Sequence, residues 1–218
     1  VEAMSLKRYQ RGDIVVDVGE PADALYWIAD GSAEVSRGDK LLGEVRSDSF
    51  FGEIALMMGA LHRTARVACL EQTEILVIPA SIVGDMAVKA PGLANVLARY
   101  ARGRLLSNVT KTAEIFRRLN AEERRSLLGE FEPCHANVDE CIFESGQVNE
   151  YLYVVVSGEC EVRDGADVSG PASNTIGNRV IATLTAGDGF GEMSMLGRKH
   201  ATCDVVATTP MMLLRVSR

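Results

Sequence analysis

DIVVDVGEPADALYWIADGSAEV (13–35) and ECIFESGQVNEYLYVVVSGECEV (140–162) align without a gap at a shift of 127 residues. Gly19 meets Gly146, Leu25 meets Leu152, Tyr26 meets Tyr153, Gly31 meets Gly158 and Val35 meets Val162. A second pair, FFGEIALMMG (50–59) and GFGEMSMLG (189–197), aligns at a shift of 139, so copy two carries twelve additional residues between the blocks. Those residues fall in GADVSGPASNTIGN (165–178), whose Gly, Ser and Asn content reads as a lengthened hairpin loop. Self-similarity of this kind means one structural unit used twice.

Within each copy the segments are short, rich in Val, Ile, Leu and Tyr, and punctuated by Gly, Asp and Ser. That pattern predicts antiparallel strands, in copy one near 13–18, 24–29, 32–37, 40–45, 64–70 and 73–78. The fold class expected is mainly β with helical segments: two tandem antiparallel β-barrel or jelly-roll domains (a double-stranded β-helix) joined by a helical linker. Between the copies the period changes. Leu93, Val96, Leu97, Tyr100, Leu105, Val109 and Phe116 recur at helical spacing after Pro91. LNAEERRSLL (119–128) opens another helix, with an Asn cap and Glu at the third position. The domain expectation is 1–112 for copy one and 113–218 for copy two. At the shift of 138 that aligns the last strands, Leu214 matches Leu76 and Arg218 matches Ala80. Copy two is therefore read as lacking the C-terminal helices, and copy one as clipped at its start. Val1, without an initiator methionine, a basic n-region or an apolar h-region, reads as the cut edge of a longer chain.

Composition narrows the function. Hydrophobic residues make up 47% and charged residues 24%, with no apolar run long enough to span a membrane, so a soluble globular protein is expected, and the unpaired cysteines make the cytoplasm the expected compartment. A net charge of −7 argues against a surface that tracks nucleic-acid phosphates. Five cysteines, Cys69, Cys134, Cys141, Cys160 and Cys203, form no CxxC pair and sit mostly in apolar strand-like runs, where a thiol behaves as a small hydrophobe. A jelly-roll metalloenzyme needs two or three His converging with a carboxylate. His62, His135 and His200 are widely separated, and no nucleophile triad or P-loop is present, so no enzyme and no metal are expected.

The chemistry concentrates in FGEIALMMGALHRTARV (51–67). Gly52 permits close backbone approach to a ligand, and a short helical turn at 53–56 would aim free N–H groups at an anion. Glu53 can accept a hydrogen bond from a ribose hydroxyl, and the planar fork of Arg63 suits phosphate oxygens. Small residues at Ala55 and Thr64 leave room for a phosphate to reach main-chain amides. The sequence FGEIAL, with RTARV following about ten residues after the Glu, resembles the phosphate-binding cassette of the cyclic-nucleotide-binding domain family, and the resemblance covers essentially the whole chain twice.

That resemblance implies roles. Glu53 would bind the ribose, Arg63 the phosphate, and the amides of Ala55 and Thr64 the phosphate oxygens, with Gly52, Ile54 and Ala65 completing the ligand-binding set. A residue of the following helix, Tyr100 or an apolar neighbour, would cap the base. The ligand implied is cAMP or cGMP, with no cofactor. Thr64 could accept from the 2-amino group of guanine, yet it is also a good strand residue, and the sequence leaves the two nucleotides unseparated. Copy two departs where it matters. Gly191 and Glu192 stand where Gly52 and Glu53 do, but aligning Val205 with Val67 sets Ala201 opposite Arg63 and Thr202 opposite Thr64. With Ser194 these make a degenerate second site. Lys199 and His200 cannot reproduce a bidentate fork. The expected function is a sensory module that signals occupancy of copy one through the helical linker to an effector domain or protein beyond this chain. The alternative is an interaction scaffold that binds nothing, or a nucleoside.

Overall fold

The computed structural model describes residues 3–116, 119–164, 179–195 and 200–217, so the loop expected at 165–178 and Lys199 lie outside the described residues. It divides into two compact units, Val1–Lys111 and Thr112–Arg218.

Unit 1 is built from β1 (Ser5–Tyr9), β2 (Ile14–Val16), β3 (Ala24–Asp30), β4 (Ser32–Arg37), β5 (Lys40–Arg46) and β6 (Phe50–Phe51). Then follow α1 (Glu53–Met57), β7 (Arg66–Cys69), β8 (Thr73–Pro79), α2 (Ala80–Lys89) and α3 (Pro91–Thr112). Unit 2 opens with a 3₁₀ turn (Glu114–Phe116) and α4 (Ala121–Glu130). It continues with β9 (Glu132–Ala136), β10 (Cys141–Phe143), β11 (Tyr151–Ser157), β12 (Cys160–Asp164), β13 (Val180–Leu184), β14 (Gly189–Phe190), α5 (Glu192–Met195), β15 (Cys203–Ala207) and β16 (Met211–Ser217).

The strands of unit 1 form two four-stranded antiparallel sheets, ordered β1-β8-β3-β6 and β2-β7-β4-β5. Unit 2 repeats both orders as β9-β16-β11-β14 and β10-β15-β12-β13. Of the expected barrel or jelly roll, the two-sheet jelly-roll sandwich is the one formed, because among the described residues the pairings stay within each sheet and no barrel closes. Between β5 and β6 the chain turns a corner at Asp48, in the left-handed region at φ 64°, with Ser47 and Asp48 amides donating to Gly31 and Ile28 carbonyls. That corner carries the chain from one sheet to the other without a continuous ladder.

Alternation along the strands fills the space between the sheets. In unit 1 the inward residues include Val16, Tyr26, Ile28, Ala33, Val35, Phe51, Val67 and Ile75. Unit 2 uses Tyr153, Val155, Cys160, Phe190, Val205 and Leu213. The matched aromatic pair recurs: Tyr26 stacks on Phe51 at 4.8 Å and Tyr153 on Phe190 at 5.0 Å between ring centroids. The expected helix cap is in place, since Asn120 accepts from the amides of Glu122 and Glu123 while Glu123 accepts from the Asn120 amide. All five cysteines are free thiols, as expected of small hydrophobes.

Gly31 and Gly158 occupy the equivalent β3–β4 and β11–β12 corners, with φ 94° and 85°. A methyl group at Gly31 would meet Thr73 Oγ1 at 2.6 Å and the Gln72 carbonyl at 2.7 Å. Gly31→Ala is therefore expected to destabilise unit 1 by about 2–4 kcal/mol, combining left-handed strain with overlap. Gly19→Ala, where φ is 84° but space is open, should lose roughly 1 kcal/mol. Urea unfolding of the two variants checks the difference.

Candidate functional site

The cassette begins where β6 ends. Gly52, at φ 83°, turns the chain into α1, and a side chain there would meet Arg63 Nη1 at 2.8 Å and the Ala24 carbonyl at 3.2 Å. Behind that glycine lies a slot filled by the Arg63 guanidinium. Arg63 is only 3% exposed. Its Nη2 donates to the Ala24 carbonyl at 2.9 Å and to Asp23 Oδ1 at 3.2 Å, and the group lies 5.1 Å from the centroid of the Tyr26 ring. Its Nε is buried with no partner.

Glu53, 1% exposed, opens α1. Burial pushes its carboxyl up, and the cations Arg104 and Arg63 oppose that shift. The compensating contact comes from α3, where Arg104 Nη1 donates to Glu53 Oε1 at 2.9 Å and to the Phe50 carbonyl at 2.8 Å. A second strut is Lys111, which donates to the Leu42 carbonyl at a bulge in β5.

These parts enclose one recess. Val16, Val35 and Val67 supply its apolar side, Phe51–Ala55 and Arg63–Ala65 its cassette side, and Arg104 and Asn108 its cover from α3. Its volume is about 40 Å³, whereas small-molecule clefts usually offer about 300–1,000 Å³. Gly52, Glu53, Ile54, Ala55, Arg63, Thr64 and Ala65 are thus brought together. Tyr100 is not among them: it is 45% exposed on α3, and Arg104 and Asn108 face the recess instead. Arg104 falls on the α3 face along which Ala101, Leu105, Asn108 and Thr112 are buried, a face that burial in the fold defines.

Unit 2 keeps the frame and changes the contents. Ala201 makes the backbone bonds of Arg63: Gly146 N to Ala201 O at 2.8 Å and Ala201 N to Gln147 O at 2.8 Å match Gly19 N to Arg63 O at 3.0 Å and Arg63 N to Glu20 O at 2.8 Å. His62 and His200 make equivalent isolated bridges, with Pro21 and Val148. The slot behind Gly191 is taken by a residue that sequence reading passed over. Buried Asn149 donates from Nδ2 to the Tyr151 carbonyl at 2.8 Å and accepts from the Tyr151 amide at 3.1 Å. Tyr151 is the counterpart of Ala24, so a carboxamide satisfies the carbonyl that the guanidinium satisfies in unit 1. A side chain at Gly191 would meet Asn149 Nδ2 at 2.9 Å, as one at Gly52 would meet Arg63. Glu192 and Thr202 are exposed, and Ser194 lies in α5.

A model described as the cyclic nucleotide-binding domain matches residues 6–89 and again residues 134–218. The chain belongs to this family. Over 210 residues it is 27% identical to the cGMP-dependent protein kinase egl-4 of Caenorhabditis elegans, covering 96% of this chain and 25% of that protein. It is 23% identical to the cAMP-dependent protein kinase regulatory subunit of Debaryomyces hansenii, covering 95% of this chain and 42% of that one. The chain thus spans about a quarter of the kinase and under half of the regulatory subunit. Among solved structures it is similar to the regulatory domain of Toxoplasma gondii PKA with cAMP, at 19% identity and a TM-score of 0.48 over 99% of this chain and 78% of that one. Among the described residues no helix is long and apolar enough to cross a membrane, and no His, Cys, Asp and Glu cluster could hold a metal ion.

Removing the Asn149 side chain leaves both the amide and the carbonyl of Tyr151 without their partner. Asn149→Ala is expected to destabilise unit 2 by about 1–3 kcal/mol, read as a lower urea midpoint. An unchanged midpoint would show that the slot tolerates an orphaned carbonyl.

Proposed function

We propose that unit 1 is a cyclic-nucleotide sensor in which Arg63 holds the cyclic phosphate, Glu53 accepts from the ribose 2′-hydroxyl, and α3 reports occupancy. The observation that carries this reading is the Glu53–Arg104 pair. A buried carboxylate requires a partner, and α3 supplies it while leaving a recess of about 40 Å³. A nucleotide therefore enters only as Arg104 and the helix behind it shift. Ligand and helix position are linked through one carboxylate, and whatever binds there biases α3.

Unit 2 has no guanidinium in its slot, and its Glu192 faces solvent. In this reading it takes no cyclic phosphate, and each chain has one nucleotide site. The named kinase relatives, a cGMP-dependent protein kinase and a cAMP-dependent protein kinase regulatory subunit, support a regulatory role toward an effector in cis or in trans, and the compartment proposed is the cytoplasm.

Calorimetric titration of the intact chain should give one site for cAMP or cGMP. Arg63→Ala should weaken binding by about tenfold to a hundredfold, the loss of a charge-assisted contact. Arg104→Ala should tighten binding several-fold by removing the competitor for Glu53, and should lower the melting temperature of the ligand-free protein. A chain silent to both nucleotides would replace the sensor with the interaction-scaffold reading.

A further inference from the structure

Two cations of α3 reach the sandwich of unit 1, and an exposed hydroxyl stands between them. Arg104 donates to Glu53 and to the Phe50 carbonyl, and Lys111 donates to the Leu42 carbonyl. Ser107 lies three residues after Arg104 and four before Lys111, so at 3.6 residues per turn it neighbours both. It is exposed, while the next residue, Asn108, is buried against the recess. In RGRLLS (102–107) two arginines precede the hydroxyl, Arg102 by five residues and Arg104 by three. That charge pattern is the one by which serine kinases with acidic substrate grooves select their substrates. Gly103, inside the helix, lowers the cost of opening α3 into the extended form that such a groove takes.

We propose that Ser107 is a phosphorylation site for a basophilic serine kinase, and that its phosphate acts by drawing Arg104 off Glu53. In the transfer the Ser107 hydroxyl oxygen bonds to the γ-phosphorus of ATP and the bond from that phosphorus to the β–γ bridging oxygen breaks. ADP leaves with the electron pair, and the hydroxyl proton passes to the kinase's base. The product brings a charge of about −1.5 to −2 and three acceptor oxygens to the surface of α3. Glu53 offers Arg104 a single carboxylate whose charge burial disfavours. Lys111 follows the phosphate by four residues, the favourable order for an acid and a base on one helix. One new anion thus competes for both struts, and α3 loosens from the sandwich. The consequence for ligand binding rests on the sensor reading: with Arg104 withdrawn, Glu53 is left to the ribose hydroxyl, and modification raises nucleotide affinity.

The test treats the intact chain with a basophilic serine kinase and Mg-ATP and locates the phosphate by peptide mass spectrometry. Ser107 is expected to take it up, and Arg102→Ala to slow that uptake at least about tenfold. The phosphorylated chain should melt at a lower temperature without ligand and bind cAMP or cGMP several-fold more tightly. Ser107→Glu should reproduce both effects in part, and in an Arg104→Ala background should leave affinity within about twofold and melting unchanged, because the contact it competes for is already gone. No phosphate on Ser107 would overturn the proposal. So would a phosphate that changes neither melting nor affinity, or a Ser107→Glu effect of equal size with and without Arg104. A chain that binds neither nucleotide in either form, yet melts lower when phosphorylated and is insensitive to Ser107→Glu once Arg104 is removed, keeps the phosphorylation switch and overturns the sensor reading alone.

Discussion

The slot behind the left-handed glycine at the start of each cassette is the constraint on which both units are organised. The chain must turn from strand to helix there, and only a residue without a side chain leaves the space open. Into that space points a backbone carbonyl of the adjacent strand, that of Ala24 in one unit and Tyr151 in the other, which needs a donor. Arg63 supplies it with a positive charge, and Asn149 supplies it without one. The same packing requirement is met in both units, while the electrostatic character differs. In the proposed sensor a repeat keeps its fold and loses its anion site by this route, because the donor that stabilises the slot need not be the group that meets a phosphate.

Glu53 connects the slot to the helices. A carboxylate taken almost wholly out of water raises the cost of its own charge, and Arg104 offsets it from α3. The contact ties a helix to the ligand recess through a single atom that a ribose hydroxyl would also need. Lys111 adds a second tie farther along the same helix, at the carbonyl freed by the β5 bulge. In the proposed sensor, position of α3 and chemistry of the recess are one equilibrium. Half-buried Arg37 at the end of β4 satisfies Nε on the Thr64 carbonyl and leaves Nη1 without a partner, as Arg63 leaves Nε.

Much of this molecule was legible as a string of residues. The ungapped repeat fixed two like units, alternating apolar residues placed most strands to within a few positions, the Asn-Glu pair marked the start of α4, and Glu53 and Arg63 stood out by spacing. These are local or periodic features, and local sterics and hydrogen bonding suffice to specify them. Only the tertiary structure decided that the strands make sandwiches rather than barrels, since a one-residue corner at Asp48 sets whether a ladder continues. It alone showed Arg104 rather than Tyr100 facing the recess, Asn149 filling the slot although Ala201, fifty-two positions later, is the counterpart of Arg63, and Arg37 donating to the Thr64 carbonyl. Each of those depends on which groups meet in space after the chain folds, and the cost of burying a charge or a carbonyl is set by the neighbours that meet it, not by the residues on either side.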